Sequence, residues 1–137
     1  MVFVDTSAWI ALTDRSDQYH KVATQIYTRL KRERTRLVTT DYVLDETITR
    51  LRYDSGHGQA VRFLNLIEQA EQARTVRRIT VSDDIFQAAL GLFRRYDSVA
   101  LSFTDCTSFS VCQRYAVAEA FAFDQHFSMM GIPLSSA

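Results

Sequence analysis

Apolar residues along the chain follow two rhythms. Short continuous runs punctuate the sequence at Val2 to Val4, Arg36 to Thr39, Thr75 to Thr80 and Ala120 to Phe123, with a last one near Ile132 to Leu134. Runs of this length, unbroken by alternation, suit strands buried on both faces. Between them, apolar residues recur every three or four positions, the spacing of one face of a helix.

The first helical turn is expected over Ser7 to Leu12. Ser16 or Asp17 can cap a longer helix to about Glu33, with Val22, Ile26 and Leu30 as its inner stripe. Thr40 or Asp41 then caps a helix to about Tyr53 carrying Leu44, Ile48 and Leu51. Ser55-Gly56-His57-Gly58 interrupts the chain before a helix bearing Ala60, Phe63, Leu64, Ile67 and Ala70. Ser82-Asp83-Asp84 opens the next, with Phe86, Ala89, Leu90 and Phe93, and its acids lie where the helix dipole favours them. Ser102 or Thr104 starts a helix through Tyr115, and a brief one begins at Asp124.

Strands alternating with helices predict an α/β fold: a three-layer α/β/α sandwich with a central, mainly parallel sheet of about five strands. The 137 residues suffice for one domain with its own core. Glycine and proline are scarce and no low-complexity segment or repeat appears, so residues 1–137 read as a single domain. Nothing resembles a transmembrane run or a secretory signal, which makes the cytoplasm the expected location and a membrane partner unexpected.

Charge adds little. Sixteen basic residues balance sixteen acidic ones, so the overall field gives no argument for a polyanionic partner. Only Lys21 and Lys31 are lysine and the other bases are arginine, the better bidentate partner for phosphate. The cluster Arg29, Lys31, Arg32, Arg34 and Arg36 reads either as a solvated helix end or as a flank that guides RNA. Cys106 and Cys112 fall six positions apart in one helix, about 9 Å along its axis at the usual rise. That exceeds the roughly 7 Å reach of a disulfide, so reduced, structural thiols are expected.

The chemistry lies in the acids. Two hydrophobic strands end on carboxylates, Val4 on Asp5 and Phe123 on Asp124, which puts both at the carboxyl edge of the sheet. Open α/β sheets bind their ligands at that edge. Glu46 and Asp105 sit near the start of helices opening at the same edge. Each acid alone has an ordinary explanation: Asp5, Asp105 and Asp124 as helix caps, Glu46 as a surface residue paired to Arg50 one turn on. Together they crowd negative charge, and two unit charges about 4 Å apart repel by roughly 4 kcal/mol at an effective dielectric near 20. Such a group either protonates or recruits a hard divalent cation, and oxygen donors favour Mg²⁺ or Mn²⁺ over zinc. A cation of that kind suits phosphodiester hydrolysis by metal-activated water.

Four segments carry a resemblance in the same order along the chain: Val2-Phe3-Val4-Asp5-Thr6-Ser7-Ala8, Thr39-Thr40-Asp41-Tyr42-Val43-Leu44-Asp45-Glu46, Leu101-Ser102-Phe103-Thr104-Asp105-Cys106 and Ala122-Phe123-Asp124-Gln125-His126-Phe127. Together they resemble the PIN domain, especially the VapC-type toxins of bacterial toxin–antitoxin pairs. The resemblance implies a Mg²⁺- or Mn²⁺-dependent endoribonuclease with Asp5, Glu46, Asp105 and Asp124 as catalytic and metal-binding acids. It implies supporting roles for Ser7 and Thr104, an RNA substrate, a homodimer formed through the early helices, and a cognate antitoxin that threads a segment into the acidic groove. Asp45 points about 100° around the helix from Glu46, and Glu46 is the one that matches the family position.

Other chemistries fit less well. Ser7 stands where a haloacid-dehalogenase phosphatase has its second Asp, and neither a phosphate-cradling glycine loop nor a Gly-x-Ser-x-Gly elbow is present. His126 reads as a structural or solvent-facing histidine, with contact to an RNA phosphate as its functional alternative. Two further functions stay open at this level: a non-catalytic PIN-like module that binds RNA or protein, and a housekeeping RNA-processing nuclease.

Overall fold

The computed structural model describes all of residues 1–137. Its strands are β1 (Val2–Val4), β2 (Leu37–Thr40), β3 (Val76–Ile79) and β4 (Glu119–Phe121). They form one sheet in the order β3-β2-β1-β4, with every pairing parallel. The helices are α1 (Thr6–Thr13), α2 (His20–Arg32), α3 (Asp41–Asp54), α4 (His57–Gln72), α5 (Asp83–Arg95), α6 (Phe103–Arg114) and α7 (His126–Met129). Every residue of β1 and β2 is buried, as expected of central strands covered by helices on both faces of a three-layer α/β/α sandwich.

The sheet has four strands where about five are expected. The segment near Ile132 to Leu134 makes only one bridge, Leu134 beside Ala120. Pro133 lacks an N–H for a ladder, and Gly131 turns the chain at a φ of 79° just before it. Ala120 accepts from Ser135 N–H at 2.8 Å and donates to the Pro133 carbonyl at 2.8 Å, so the tail is tied to the edge without extending it.

Strand order places the functional edge. From β1 the chain moves outward to β2 and β3, then returns to the other side of β1 for β4, so the direction of winding reverses between β1 and β4. Ligands of open α/β sheets bind in the crevice at such a reversal. Asp5 follows β1 directly, and its N–H donates to the Phe121 carbonyl of β4 at 3.0 Å.

The core beneath this edge is a continuous cluster that includes Phe3, Trp9, Phe63, Phe109, Phe121 and Phe127. Trp9 Nε1 donates to Thr39 Oγ1 at 3.3 Å, and Thr39 Oγ1 donates to the Val4 carbonyl at 3.0 Å. This buried chain of polar contacts ties α1 to the carboxyl ends of β1 and β2. Phe127, on the short α7, packs on Phe3 and Phe109 with ring centroids 5.9 and 5.1 Å away.

Two helices begin later than the sequence suggests. Helix α2 starts at His20, because Asp17 spends its carboxylate on the Tyr19 N–H at 2.8 Å and Asp14 spends its own on Ser16. Helix α7 starts at His126 for the same reason, with Asp124 accepting the His126 N–H at 2.9 Å. Thr40 and Ser102 are the caps of α3 and α6. Gly56, at a φ of 98°, holds the α3–α4 turn in a region closed to other residues. In α5 only Ile85 and Ala89 are buried, whereas Phe93 is 50% exposed. Cys106 and Cys112 are buried free thiols.

Phe127→Ala removes the only fully buried side chain of α7, and its expected cost is about 3–5 kcal/mol in urea unfolding with an unchanged m value. A loss below about 1 kcal/mol would show that the turn carrying Asp124 stands without this anchor.

Candidate functional site

Asp5 is 4% exposed and has no basic partner. Although it opens α1, its carboxylate makes no cap hydrogen bond and is left for other work. Ser7 Oγ donates to it at 3.4 Å. Burial, then the charges of Asp105, Glu46 and Asp124, push its pKa up to about 7, against a downward pull from the Thr6 backbone N–H. The three other predicted acids therefore all act on Asp5 through space.

Asp105 is fixed by a capping box at the start of α6. The Asp105 N–H donates to Ser102 Oγ at 3.0 Å, while the Ser102 N–H donates back to Asp105 Oδ2 at 3.1 Å. One carboxylate thus serves the helix terminus and the site together. Burial and the charge of Asp124 raise its pKa, opposed by the Ser102 hydrogen bonds and by His126.

Glu46 lies on α3, half-buried, and forms no ion pair with Arg50. Its neighbour Asp45 is exposed and faces a separate groove lined by Leu44, Ile48 and Glu68. Asp41 is structural, since its Oδ1 accepts the Val81 N–H at 2.9 Å and so joins α3 to the segment before α5. Of the acids on this helix, Glu46 is the one whose charge reaches Asp5.

Asp124 closes the site from the β4 side. His126 Nδ1 lies 3.0 Å from Asp124 Oδ1 and 3.5 Å from Asp105 Oδ2. Donor atoms of Asp105, Asp124 and His126 all fall within 4.8 Å of one another, and His126 Nδ1 is buried without a hydrogen-bond partner. His126 is thus a member of the acidic group, neither solvent-facing nor idle. The Asp-x-His spacing that makes Asp124 accept the His126 N–H was the readable signal, but the approach to Asp105 comes from a distant helix.

The supporting residues divide. Ser7 Oγ accepts the Phe123 N–H at 3.0 Å while facing Asp5, so one hydroxyl links the two strand ends. Thr104 is half-buried beside Asp105, and its carbonyl accepts from Thr107 Oγ1 at 2.6 Å. The basic cluster lies elsewhere: Arg34 and Arg36 precede β2, at the amino edge of the sheet, opposite the acids. There Arg29 pairs with Glu33 and Glu119, and Lys31 lies over the Tyr27 ring.

The residues fit a divalent cation: Asp105, Asp124 and His126 bring donor atoms within reach of one ion, no lysine or arginine pairs with the acids, and burial with neighbouring negative charge raises the Asp5 pKa to about 7.

A folded-state pKa above the unfolded one means that the native protein retains a proton which the unfolded chain gives up. Stability in EDTA is therefore expected to fall by a few kcal/mol as pH rises from about 4 to about 7, and to level off above that. Asp105 contributes in the same sense. Asp5→Asn should flatten this slope and be more stable than wild type near pH 8 in chemical denaturation; a slope unchanged by the substitution would contradict the buried-charge account.

The PIN domain profile matches residues 2–132. The chain is 35% identical over 132 residues to the 23S rRNA-specific endonuclease VapC20 of Mycobacterium tuberculosis, covering 96% of this chain and 95% of that protein. The crystal structure of VapC20, described as a sarcin–ricin loop cleaving toxin, superposes with a TM-score of 0.83 at 33% identity over 96% of both chains. More distant in sequence, VapBC2 of Rickettsia felis, bound to a DNA fragment from its promoter, shares the fold at a TM-score of 0.71, 11% identity and 98% coverage of both chains. A toxin–antitoxin complex from Klebsiella pneumoniae does so at 0.62 and 18% identity, over 99% of this chain and 97% of that one. With its four parallel strands, its acids at the winding reversal and these matches along nearly its whole length, the chain belongs to the PIN domain family.

Proposed function

We propose that this protein is a divalent-metal-dependent endoribonuclease, the toxin of a type II toxin–antitoxin pair, acting as one domain over residues 1–137. The observation that carries the reading is the convergence on Asp5: a buried carboxyl that feels Asp105, Glu46 and Asp124, with no lysine or arginine among them. Supporting it, a relative that aligns over 96% of the chain is a 23S rRNA-specific endonuclease. That relative makes structured ribosomal RNA the first substrate to try.

Asp5, Glu46, Asp105 and Asp124 would hold Mg²⁺ or Mn²⁺. When bound, such an ion activates water for attack on a phosphodiester and neutralises charge on the phosphate. The chain's own residues prepare the place. Asp5 is set by the end of β1 and by Ser7, and Asp105 by its capping box, so neither carboxylate has to search for its orientation. His126 lies between Asp105 and Asp124 on the α7 side, and its positive charge, when protonated, offsets part of their mutual repulsion. Ionisation of Asp5 couples ion binding to the loss of its proton.

The same charge defines the partner. An antitoxin segment that silences the site would bring a lysine or arginine to these acids, supplying the counter-charge the chain lacks. A homodimer through the early helices and action in the cytosol complete the proposal; no helix is long and apolar enough to cross a membrane.

Purified protein is expected to cut RNA with Mn²⁺ or Mg²⁺ and to stop in EDTA. Asp5→Asn should lower the rate by about 100-fold or more, equivalent to about 2.7 kcal/mol of transition-state stabilisation. Undiminished cleavage by that variant would sink the assignment. Independently of activity, Mn²⁺ at a hundredfold excess over its dissociation constant should add about 2.7 kcal/mol of stability, and Asp105→Asn or Asp124→Asn should remove that response.

A further inference from the structure

Next to the acids, a cleft of about 360 Å³ opens between α1, the α1–α2 connection, α3 and the end of β4. Its lining includes Ser7, Gln18, Tyr19, Arg50, Phe123 and Asp124. Two of these, Ser7 and Asp124, belong to the acidic site, so the cleft continues directly from it. Its volume falls at the small end of the usual range for ligand pockets, room for about one nucleotide.

The aromatic pair in this cleft is unusual for its place. Tyr19 and Phe123 lie face to face, ring centroids 4.5 Å apart and planes within 3° of parallel. Tyr19 is nevertheless 40% exposed, on the surface rather than in the core. Its backbone is held on both sides: its N–H donates to Asp17 Oδ1 at 2.8 Å, and its carbonyl accepts the Ala23 N–H at 2.9 Å. Phe123 is held from behind, its N–H on Ser7 Oγ and its ring edge-on to Phe121. A flat π surface is therefore fixed in register with the acids through Ser7. Every nucleobase offers a π face to such a surface, and stacking of this kind tolerates any base.

Arg50 supplies the second half. It is exposed, pairs with no acid, and is the only cation lining the cleft. Asp17 and Asp124 line the same cleft, yet neither forms an ion pair with Arg50. Left free, its guanidinium offers bidentate donors to a phosphate.

We propose that this cleft is a nucleotide subsite, in which the Tyr19–Phe123 stack carries the base adjacent to the scissile phosphate and Arg50 binds a neighbouring phosphate of the RNA. The proposal rests on the ribonuclease reading of the acids and adds to it the means by which one nucleotide is unstacked and held. Gln18, exposed at the rim, presents both a donor and an acceptor to the edge of that base.

The test uses the full-length protein and a synthetic stem-loop RNA copying the sarcin–ricin loop of 23S rRNA. Tyr19→Ala should raise KM about 10- to 100-fold with kcat changed far less, whereas Tyr19→Phe, which keeps the ring, should stay near wild type. Arg50→Ala should flatten the slope of log affinity against log salt by about 0.7 to 0.9, the share of one phosphate contact. In the inactive Asp5→Asn background, 2-aminopurine beside the cleavage position should be quenched on binding, and Tyr19→Ala should abolish the quenching. Wild-type kinetics and undiminished quenching in a folded Tyr19→Ala protein would overturn the subsite while leaving the nuclease intact. Failure of wild type with Mn²⁺ to cut this RNA or total RNA would instead overturn the nuclease reading, and the subsite with it.

Discussion

The structure is organised around a carboxyl group that cannot easily be charged where it stands. Asp5 ends β1 at the point where the winding of the sheet reverses, almost fully buried and facing three other acids. Desolvation and like charge both oppose its ionisation. The surrounding fold compensates by tying the polypeptide down on every side of it. Trp9 and Thr39 bind α1 to the strand ends, Ser102 and Asp105 lock the start of α6, and Phe127 anchors the turn that brings Asp124 back. These contacts hold together what electrostatics would otherwise spread apart, so the fold itself assembles the acidic cluster. Preorganisation of this kind spares the reaction the work of arranging charge.

Much of the fold was legible because its signals are local. A continuous apolar run ending on Asp5, a threonine before the acidic start of α3, and Ser102 three residues before Asp105 each state a strand end or a cap within a few positions. The sequence misleads where a local signal has two uses. Asp17 and Asp124 were equally good helix caps and turn-formers, and in the structure each closes a turn onto the N–H two residues on. Pro133 made the fifth strand a bridge, because an apolar run cannot ladder without donors. In α5 the helical period was right, but the inner stripe passes through Ile85 and Ala89, leaving Phe93 outside.

What could not be read was the company each residue keeps across the fold. Glu46 and Arg50 are spaced for a helix ion pair, yet they form none, since Glu46 faces Asp5 and Arg50 lines the neighbouring cleft. His126 gains its role from Asp105, which arrives on another helix. Moving the start of α2 from Asp17 to His20 is a shift of only a few residues, but it takes Tyr19 out of the helix and sets its ring against Phe123. A boundary error that is trivial for the fold therefore decides whether an aromatic surface stands beside the acids.

A net charge of zero conceals how unevenly the charge is placed. Four acids gather at the carboxyl edge of the sheet with Arg50 as the cation nearby, while Lys31, Arg34, Arg36 and Arg74 line adjoining hollows at the amino edge. A phosphate brought to the acids alone meets repulsion of several kcal/mol at close range, even at an effective dielectric near 20. The order of assembly follows from that sign. On the proposed function, a cation bound among the acids would convert the site from one that rejects RNA into one that attracts it, and Arg50 and the aromatic pair would then add to an interaction already favourable. A protein segment carrying its own lysine or arginine meets the opposite situation, because the bare acids attract it without an ion. On the proposed function, substrate and inhibitor would be separated by the occupancy of one cluster: the metal-free site would favour the cationic inhibitor, and the metal-bound site would favour the RNA.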